Sequence, residues 1–472
     1  MRWGVAIASS VMVLSADSAF AASTAQLNGS ELGIAWSLPF AGLLLSIALL
    51  PLIAPCFWEH HFGKITAFWT VAFIAPCAIA FGPRTVAAEV LHTVAIEYLP
   101  FIILLFSLFV VAGGIRVVGN LVGTPGTNTA ILAFGTLTAS LLGTTGASML
   151  LIRPMIRANR DRRRNVHVFI FFIFLVSNIG GSLTPLGDPP LFLGFLKGVD
   201  FFWTVTALLP PMLLSSVLLL TLFYAIDRRA WRNELHQVTT RSRAPRQLRI
   251  EGLHNVLYLA GVAGAVLFSG LWHSSVAIPV GFGIELPLDG FARDLVLLIL
   301  SYLSWKTTPS SIRIENAFAW TPIQEVAILF AGIFIAMIPA LAILRAGGNG
   351  ALAPLVALVS TPDGRPIDAA YFWLTGGLSS FLDNAPTYLV FFNLAGGDPQ
   401  VLMGPLASTL LAISAGAVFM GANSYIGNAP NFMVKSICEE RGIKMPSFLG
   451  YMLWSGGILL PLYALLTWVF FS

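Results

Sequence analysis

The sequence predicts an all-α polytopic membrane protein made of two inverted repeats, each with about five transmembrane helices, a re-entrant hairpin and a broken helix. Three observations carry this reading. Of 472 residues, 57% are hydrophobic and 10% charged, where a soluble domain carries roughly a quarter charged residues. Apolar runs of about 20 residues, enough to cross a bilayer, recur along nearly the whole chain. Four further segments are interrupted by Gly, Pro and polar residues, at places that correspond between the two halves.

Composition also excludes several classes. No block of soluble character and domain size remains, so a single anchor on a soluble domain is ruled out. The net charge of +4 resides in short loops, where it sets membrane orientation, and implies no nucleic-acid partner. Cys56, Cys77 and Cys438 show neither paired nor metal-ligand spacing. Neither a cofactor nor a resident metal is expected. Residues 1–21 read as a signal peptide: Arg2, an apolar core from Val5 to Leu14, and the small-x-small site Ala19-Phe20-Ala21. An uncleaved short anchor is the alternative.

The candidate spans are Ile34–Ala54, Ile65–Phe81, Leu99–Val118, Phe202–Ile226, Leu253–Trp272, Asp294–Leu303, Pro322–Leu344 and Ser447–Phe471. Two arginine clusters orient them. One holds Arg153, Arg157, Arg160, Arg162, Arg163 and Arg164; the other holds Arg228, Arg229, Arg232, Arg241, Arg243, Arg246 and Arg249. Loops 153–164 and 228–249 are therefore placed in the cytoplasm, on a bacterial-type inner (plasma) membrane. A broken helix (Val166–Leu196) and a full span separate them by two crossings. Asn128–Ile156 must then enter from the cytoplasm and turn back, with its tip near Gly143–Thr145. The second half follows in the opposite sense, and Asp383–Pro386 becomes the tip of a hairpin entering from outside. Five crossings plus a hairpin per half force inversion. The expected division is a first repeat over 30–227, a basic cytoplasmic linker over 228–251 and a second repeat over 252–472.

An internal match supports the division. At an offset of 240 residues, Gly181-Ser182-Leu183-Thr184-Pro185-Leu186-Gly187-Asp188-Pro189-Pro190 falls on Gly421-Ala422-Asn423-Ser424-Tyr425-Ile426-Gly427-Asn428-Ala429-Pro430. With the same offset, Leu142-Gly143-Thr144 falls on Leu382-Asp383-Asn384. Unwound backbone is costly in lipid unless it lines a cavity or is buried in protein. Paired breaks in two halves therefore point to a transporter's binding site.

Asp383 is the sharpest single signal. A charge at mid-bilayer costs roughly 2.5–3.5 kcal/mol, so it needs a partner, a cation or a proton, and cation and proton compete for it. Asp188 is read both as the N-cap of a helix begun by Pro189-Pro190 and as an ion ligand beside unwound carbonyls. Thr144, Thr145, Ser177, Asn178, Thr184, Asn384, Thr387, Asn423, Ser424, Asn428 and Asn431 supply neutral oxygens and amides at the breaks. Gly181, Gly187, Gly421 and Gly427, with Gly180, would let the chain turn and approach closely. Glu97, Glu325 and His167 read as residues of the membrane interface, and the 12 Trp as interface anchors.

Phe381-Leu382-Asp383-Asn384-Ala385-Pro386 resembles the hairpin motif of the ion transporter superfamily, which includes arsenite permeases, NhaD-type Na+/H+ antiporters and citrate or dicarboxylate carriers. Leu186-Gly187-Asp188-Pro189-Pro190 and the stretch Gly421–Pro430 resemble its two broken-helix motifs. The resemblance covers about residues 95–471. It implies a scaffold with a mobile transport domain, a homodimer, alternating access, and ion sites between each hairpin tip and the adjacent break. By motif match these are Gly143–Thr145 facing Thr184–Asp188, and Asp383–Thr387 facing Asn423–Asn428. The sodium-coupled dicarboxylate branch carries Ser-Asn-Thr at both tips, and this chain departs from it with Gly143-Thr144-Thr145 and Asp383-Asn384-Ala385. A Na+/H+ antiporter, not an enzyme, heads the expectations, with Na+ and H+ or a small anion as cargo and the bilayer as surroundings. Citrate or dicarboxylate symport comes second and arsenite efflux third. An intramembrane aspartyl protease is remote, because inversion assigns Asp188 and Asp383 to different halves.

Overall fold

The computed structural model describes residues 27–119, 121–234, 249–272 and 274–472. The 1–21 leader segment, and Arg241, Arg243 and Arg246 of the linker, lie outside the described residues. Among those described, eight helices are long and apolar enough to cross a membrane. The chain is an all-α integral membrane protein.

In the first half, α1 (Leu38–Ile53), α2 (Pro55–Phe81) and α3 (Leu99–Ala112) precede a hairpin of α4 (Pro125–Leu142) and α5 (Thr144–Ala158). A broken helix follows, with α6 (Val166–Leu175), a 3-10 turn at Ile179–Leu183 and α7 (Pro189–Leu196). The long α8 (Phe201–Arg232) closes the half. The second half repeats this order. It runs α9 (His254–Leu271), α10 (Leu288–Thr307), α11 (Thr321–Arg345), hairpin arms α12 (Asp368–Ser379) and α13 (Asn384–Leu394), α14 (Ala407–Met420), a 3-10 turn at Gly421–Asn423, α15 (Ala429–Glu440) and α16 (Phe448–Phe470). The starts of α5 and α13, and of α7 and α15, keep the 240-residue offset.

Several boundaries differ from the hydropathy reading. α2 begins at Pro55 and not Ile65, because exposed Glu59, His60 and Lys64 dilute its first turns. α10 extends beyond Asp294–Leu303 at both ends for the same reason, carrying Asp289, Arg293 and Lys306. α8 continues through Arg228 and Arg229 to Arg232, so part of the basic stretch is helix and not linker. Two short antiparallel strand pairs were not anticipated: Arg116–Val118 with Arg249–Glu251, and Ala277–Gly281 with Ile284–Pro287.

The halves interlock. α3 of the first half packs on α9 and α10 of the second, and α11 of the second packs on α1 and α2 of the first. The most apolar window of α2 is 17% buried, that of α11 61%, and that of α6 with its turn 89%. α2 therefore faces lipid and α6 is the axis of the molecule. Phe171 of α6 meets Phe223 of α8, and Phe174 meets Tyr451 of α16. Each hairpin's inner arm leans on one rod of its own half, α5 on α3 and α13 on α11.

Candidate functional site

Each hairpin is fastened to its own helix break by the same hydrogen bonds. Ser140 Oγ donates to the Gly180 carbonyl at 2.6 Å, and Ser380 Oγ donates to the Met420 carbonyl at 3.1 Å. Returning the bond, Thr184 Oγ1 donates to the Ser140 carbonyl and Ser424 Oγ to the Ser380 carbonyl. The backbone N–H groups of Leu186 and Ile426 donate to those same hydroxyls, both at 3.2 Å. Ser140 and Ser380 were missed in the sequence. Ser140 sits in the last turn of α4 and Ser380 just past the end of α12, both on apolar segments, and only the offset relating them marks them out.

The glycines at the breaks serve close approach. A Cβ on Gly187 would lie 2.0 Å from the Gly181 carbonyl oxygen, and one on Gly427 would lie 2.6 Å from that of Gly421. None of these four has a positive φ, so they supply space and not a turn. The turn requirement falls on Gly143, at the first tip, with φ +73°. Its counterpart Asp383 has φ −58° and ψ 139°, which any residue adopts. One tip must be glycine and the other can carry a carboxylate.

Four helices begin around a single carboxylate. Asp188 precedes α7 and is 1% exposed. Its Oδ1 accepts from Thr144 Oγ1, at the start of α5, at 2.9 Å, and from Asn428 Nδ2, just before α15, at 3.1 Å. Its Oδ2 accepts from Asn384 Nδ2, at the start of α13. Among the described residues no Arg, Lys or His pairs with it. The expected separate sites, one per half, are therefore one: the second tip reaches the first break.

The two acids also differ from their expected parts. Asp188 occupies the N-cap position of α7, yet its side chain caps nothing. Asp383 is the one that caps, with Oδ1 accepting from the Ala385 N–H at 3.1 Å. Both line a cavity of about 120 Å³, room for about four waters at ~30 Å³ each. Thr144, Thr145 and Asn428 line it too, and Leu104, Leu108, Ile323, Phe330 and Met433 supply apolar wall. No hydrogen bond joins Asp188 to Asp383. Each is engaged by other donors, unlike the shared-proton pair of an aspartyl protease.

The remaining expected residues divide. Ser177 and Asn178 reach the site through Asn428, whose Nδ2 also donates to the Ser177 carbonyl at 3.1 Å and to Asn178 Oδ1 at 3.2 Å. Asn178 Nδ2 in turn donates to Asn431 Oδ1 at 2.8 Å. Thr184 and Ser424 are committed to fastening the hairpins, as is Asn423, whose Nδ2 donates to Ser380 Oγ at 2.8 Å. Thr387 Oγ1 bonds back to the Asp383 carbonyl at 2.9 Å. Asn384 Oδ1 is buried with no partner.

Electrostatics follow from this convergence. Each helix start carries roughly +0.5 charge, so four carry roughly +2, against −2 for Asp188 and Asp383 both ionised. The site is close to neutral, and adding either a cation or an anion alone unbalances it.

Two residues read as interfacial are buried. His167 Nε2 lies 2.8 Å from Asp227 Oδ1, within a cluster of Asn128, Asn159, Arg162, Asp227 and Glu234 that ties the base of the first hairpin to the end of α8. Glu97 pairs with Lys197 at 2.5 Å, beside a second cavity of about 710 Å³ lined by Glu89, Glu97, Glu285 and Arg345.

Fold and site together define a polytopic membrane transporter built around paired helix breaks. Residues 29–471 match the family described as "Putative citrate transport", and the chain belongs to that family. No curated protein matches the chain.

Proposed function

We propose that the chain is a cation-coupled symporter of citrate or a related di- or tricarboxylate, with its site at the meeting of the four helix starts around Asp188. The observation that carries this is the convergence itself. Helix N-termini and side-chain amides hold carboxylates without arginine, and Asn384 and Asn428 present such amides. The near-zero charge balance then calls for a proton or Na+ alongside each anion. Membership of a family described by citrate transport moves this reading ahead of Na+/H+ antiport.

Antiport stays as the second reading because Asp188 and Asp383 line a cavity with no basic side chain among the described residues, and two carboxylates there can exchange protons for Na+ without an anion. Inverted halves, cytoplasmic arginine loops, alternating access of the cavity and a homodimer belong to the same proposal. Purified protein in liposomes tests it. Citrate accumulation driven by an imposed proton or Na+ gradient supports symport. Na+-driven collapse of a pH gradient without any organic acid supports antiport and refutes symport.

A further inference from the structure

The donors that suit a substrate carboxylate are already occupied, and by a carboxylate. Thr144, Asn384 and Asn428 all give hydrogen bonds to Asp188. They come from three different helix starts, and no counter-charge faces the acid. A paired acid in a protein interior normally has a cation or an Arg fork; here neutral donors do that work. From this geometry we propose that Asp188 is a built-in competitor for the substrate: ionised, its carboxylate fills the anion seat, and a proton taken up by Asp188 frees Asn384 and Asn428 to bind a substrate carboxylate. This rests on the symport reading and adds the coupling rule, one proton taken up for one carboxylate seated.

Protonation changes what Asp188 can do. A carboxylate is acceptor-only, whereas the neutral acid has one donor and weaker acceptors, and bonds from neutral donors to an ionised group are about twice as strong as those to a neutral one. The freed amides then meet a substrate carboxylate at full strength, while the acid's own O–H is available to the partnerless Asn384 Oδ1. Charge keeps the account closed: the proton arrives from the water of the open side, and the anion enters a site made more positive by one.

Other titratable groups near Asp188 are few. Asp383 on α13 is the only other charged residue lining the cavity, and its carboxylate is held by its own helix start. α3, α11 and α15 contribute Leu104, Leu108, Ile323, Phe330 and Met433 to the wall, and no charge. The Tyr388 hydroxyl lies against Gly194, further along α7.

The test is citrate binding by calorimetry to the full-length protein in nanodiscs, in Na+-free buffer above about pH 8, beyond the last ionisation of citrate itself, which like-charge repulsion places well above the ordinary carboxylic range. For the wild type, affinity is flat while Asp188 of the empty site holds its proton and falls about tenfold per pH unit once it is ionised, the slope of a one-proton linkage. Asp188→Asn, which holds the neutral state permanently, binds citrate with no such slope and keeps citrate counterflow, but loses proton-driven accumulation. Asp383→Asn keeps the wild-type slope. Should Asp188→Asn not fold, Thr144→Val serves instead. Losing that hydroxyl removes one bond to ionised Asp188, so whatever happens to the absolute affinity, the pH at which affinity begins to fall moves up by about one unit.

A wild-type slope retained in Asp188→Asn, a slope abolished by Asp383→Asn, or an unmoved profile in Thr144→Val overturns the proposal while leaving symport standing. A wild-type protein that binds no carboxylate at any pH, with Na+ or without it, overturns the symport reading itself.

Discussion

Replacing Asp227 with threonine, the residue at the equivalent place in the second half (Thr467), isolates what the charged cluster at the hairpin base contributes. Asp227 is fully buried, and its Oδ1 lies 2.6 Å from Arg162 Nη2 and 2.8 Å from His167 Nε2. Its Oδ2 takes the Asn128 amide at 2.9 Å. Removing one partner of a buried ion pair costs about 3–5 kcal/mol, because the other charge stays behind in low dielectric. Arg162 retains Glu234 on its Nε at 3.2 Å, which places the expected loss at the lower end, about 3 kcal/mol. At 1.36 kcal/mol per decade, that is an unfolding constant raised more than a hundredfold. Thr467→Ala is the control: it removes the acceptor for Trp373 Nε1, at 2.9 Å, and a bond back to the Tyr463 carbonyl of its own helix, at 2.8 Å, the first worth about 0.5–1.5 kcal/mol. Unfolding by sodium dodecyl sulfate in mixed micelles measures both. If Asp227→Thr is no more costly than Thr467→Ala, the cluster is not a stabilising charge network and its proposed part in holding the first hairpin fails.

Four further outcomes are expected. Gly143→Ala destabilises by about 1–3 kcal/mol in the same micelle assay, because φ +73° with ψ 149° is backbone essentially restricted to glycine. Asp383→Asn keeps its helix cap, since Asn caps as well as Asp, and leaves the melting temperature within about 2 °C; a larger drop means the cap is not what holds that tip. Ser140→Ala and Ser380→Ala each cost about 1–3 kcal/mol by stranding a buried carbonyl and an N–H or amide, and similar losses in the two variants in the same micelle assay check the repeat. Asn428→Leu, which empties the bridge between Asp188 and Asn178, reduces citrate uptake in liposomes at least tenfold with surface expression unchanged.

Much of this was legible because lipid makes broken helices expensive. Gly, Pro and polar residues inside apolar segments stand out, and the regions around Thr144, Asn178–Pro190, Asp383–Thr387 and Asn423–Pro430 are marked that way. What the pattern could not show is distance across the repeat. Asn384 and Asp188 are 196 residues apart, and nothing along the chain says that the second tip touches the first break. The parts of the two acids were also beyond reach, since both sit one residue before a helix and only the side-chain rotamer decides which one caps. His167 was misplaced because it follows an arginine run. Its partner Asp227 abuts Arg228 and Arg229 and was not singled out, although His167 and Asp227 are both buried.

Asp188 and Asn428 occupy matching places in the two halves, and one is an acid while the other is its amide. Had both been acids, two carboxylates would face one another in a nearly dry interior; had both been amides, no acid would stand between the Asn384 and Thr144 donors. A protein assembled from two identical copies of this unit would be forced into one of those two outcomes. Fusing the copies into a single polypeptide lets the pair diverge, and that divergence leaves one acid, Asp188, where the amides of both halves meet.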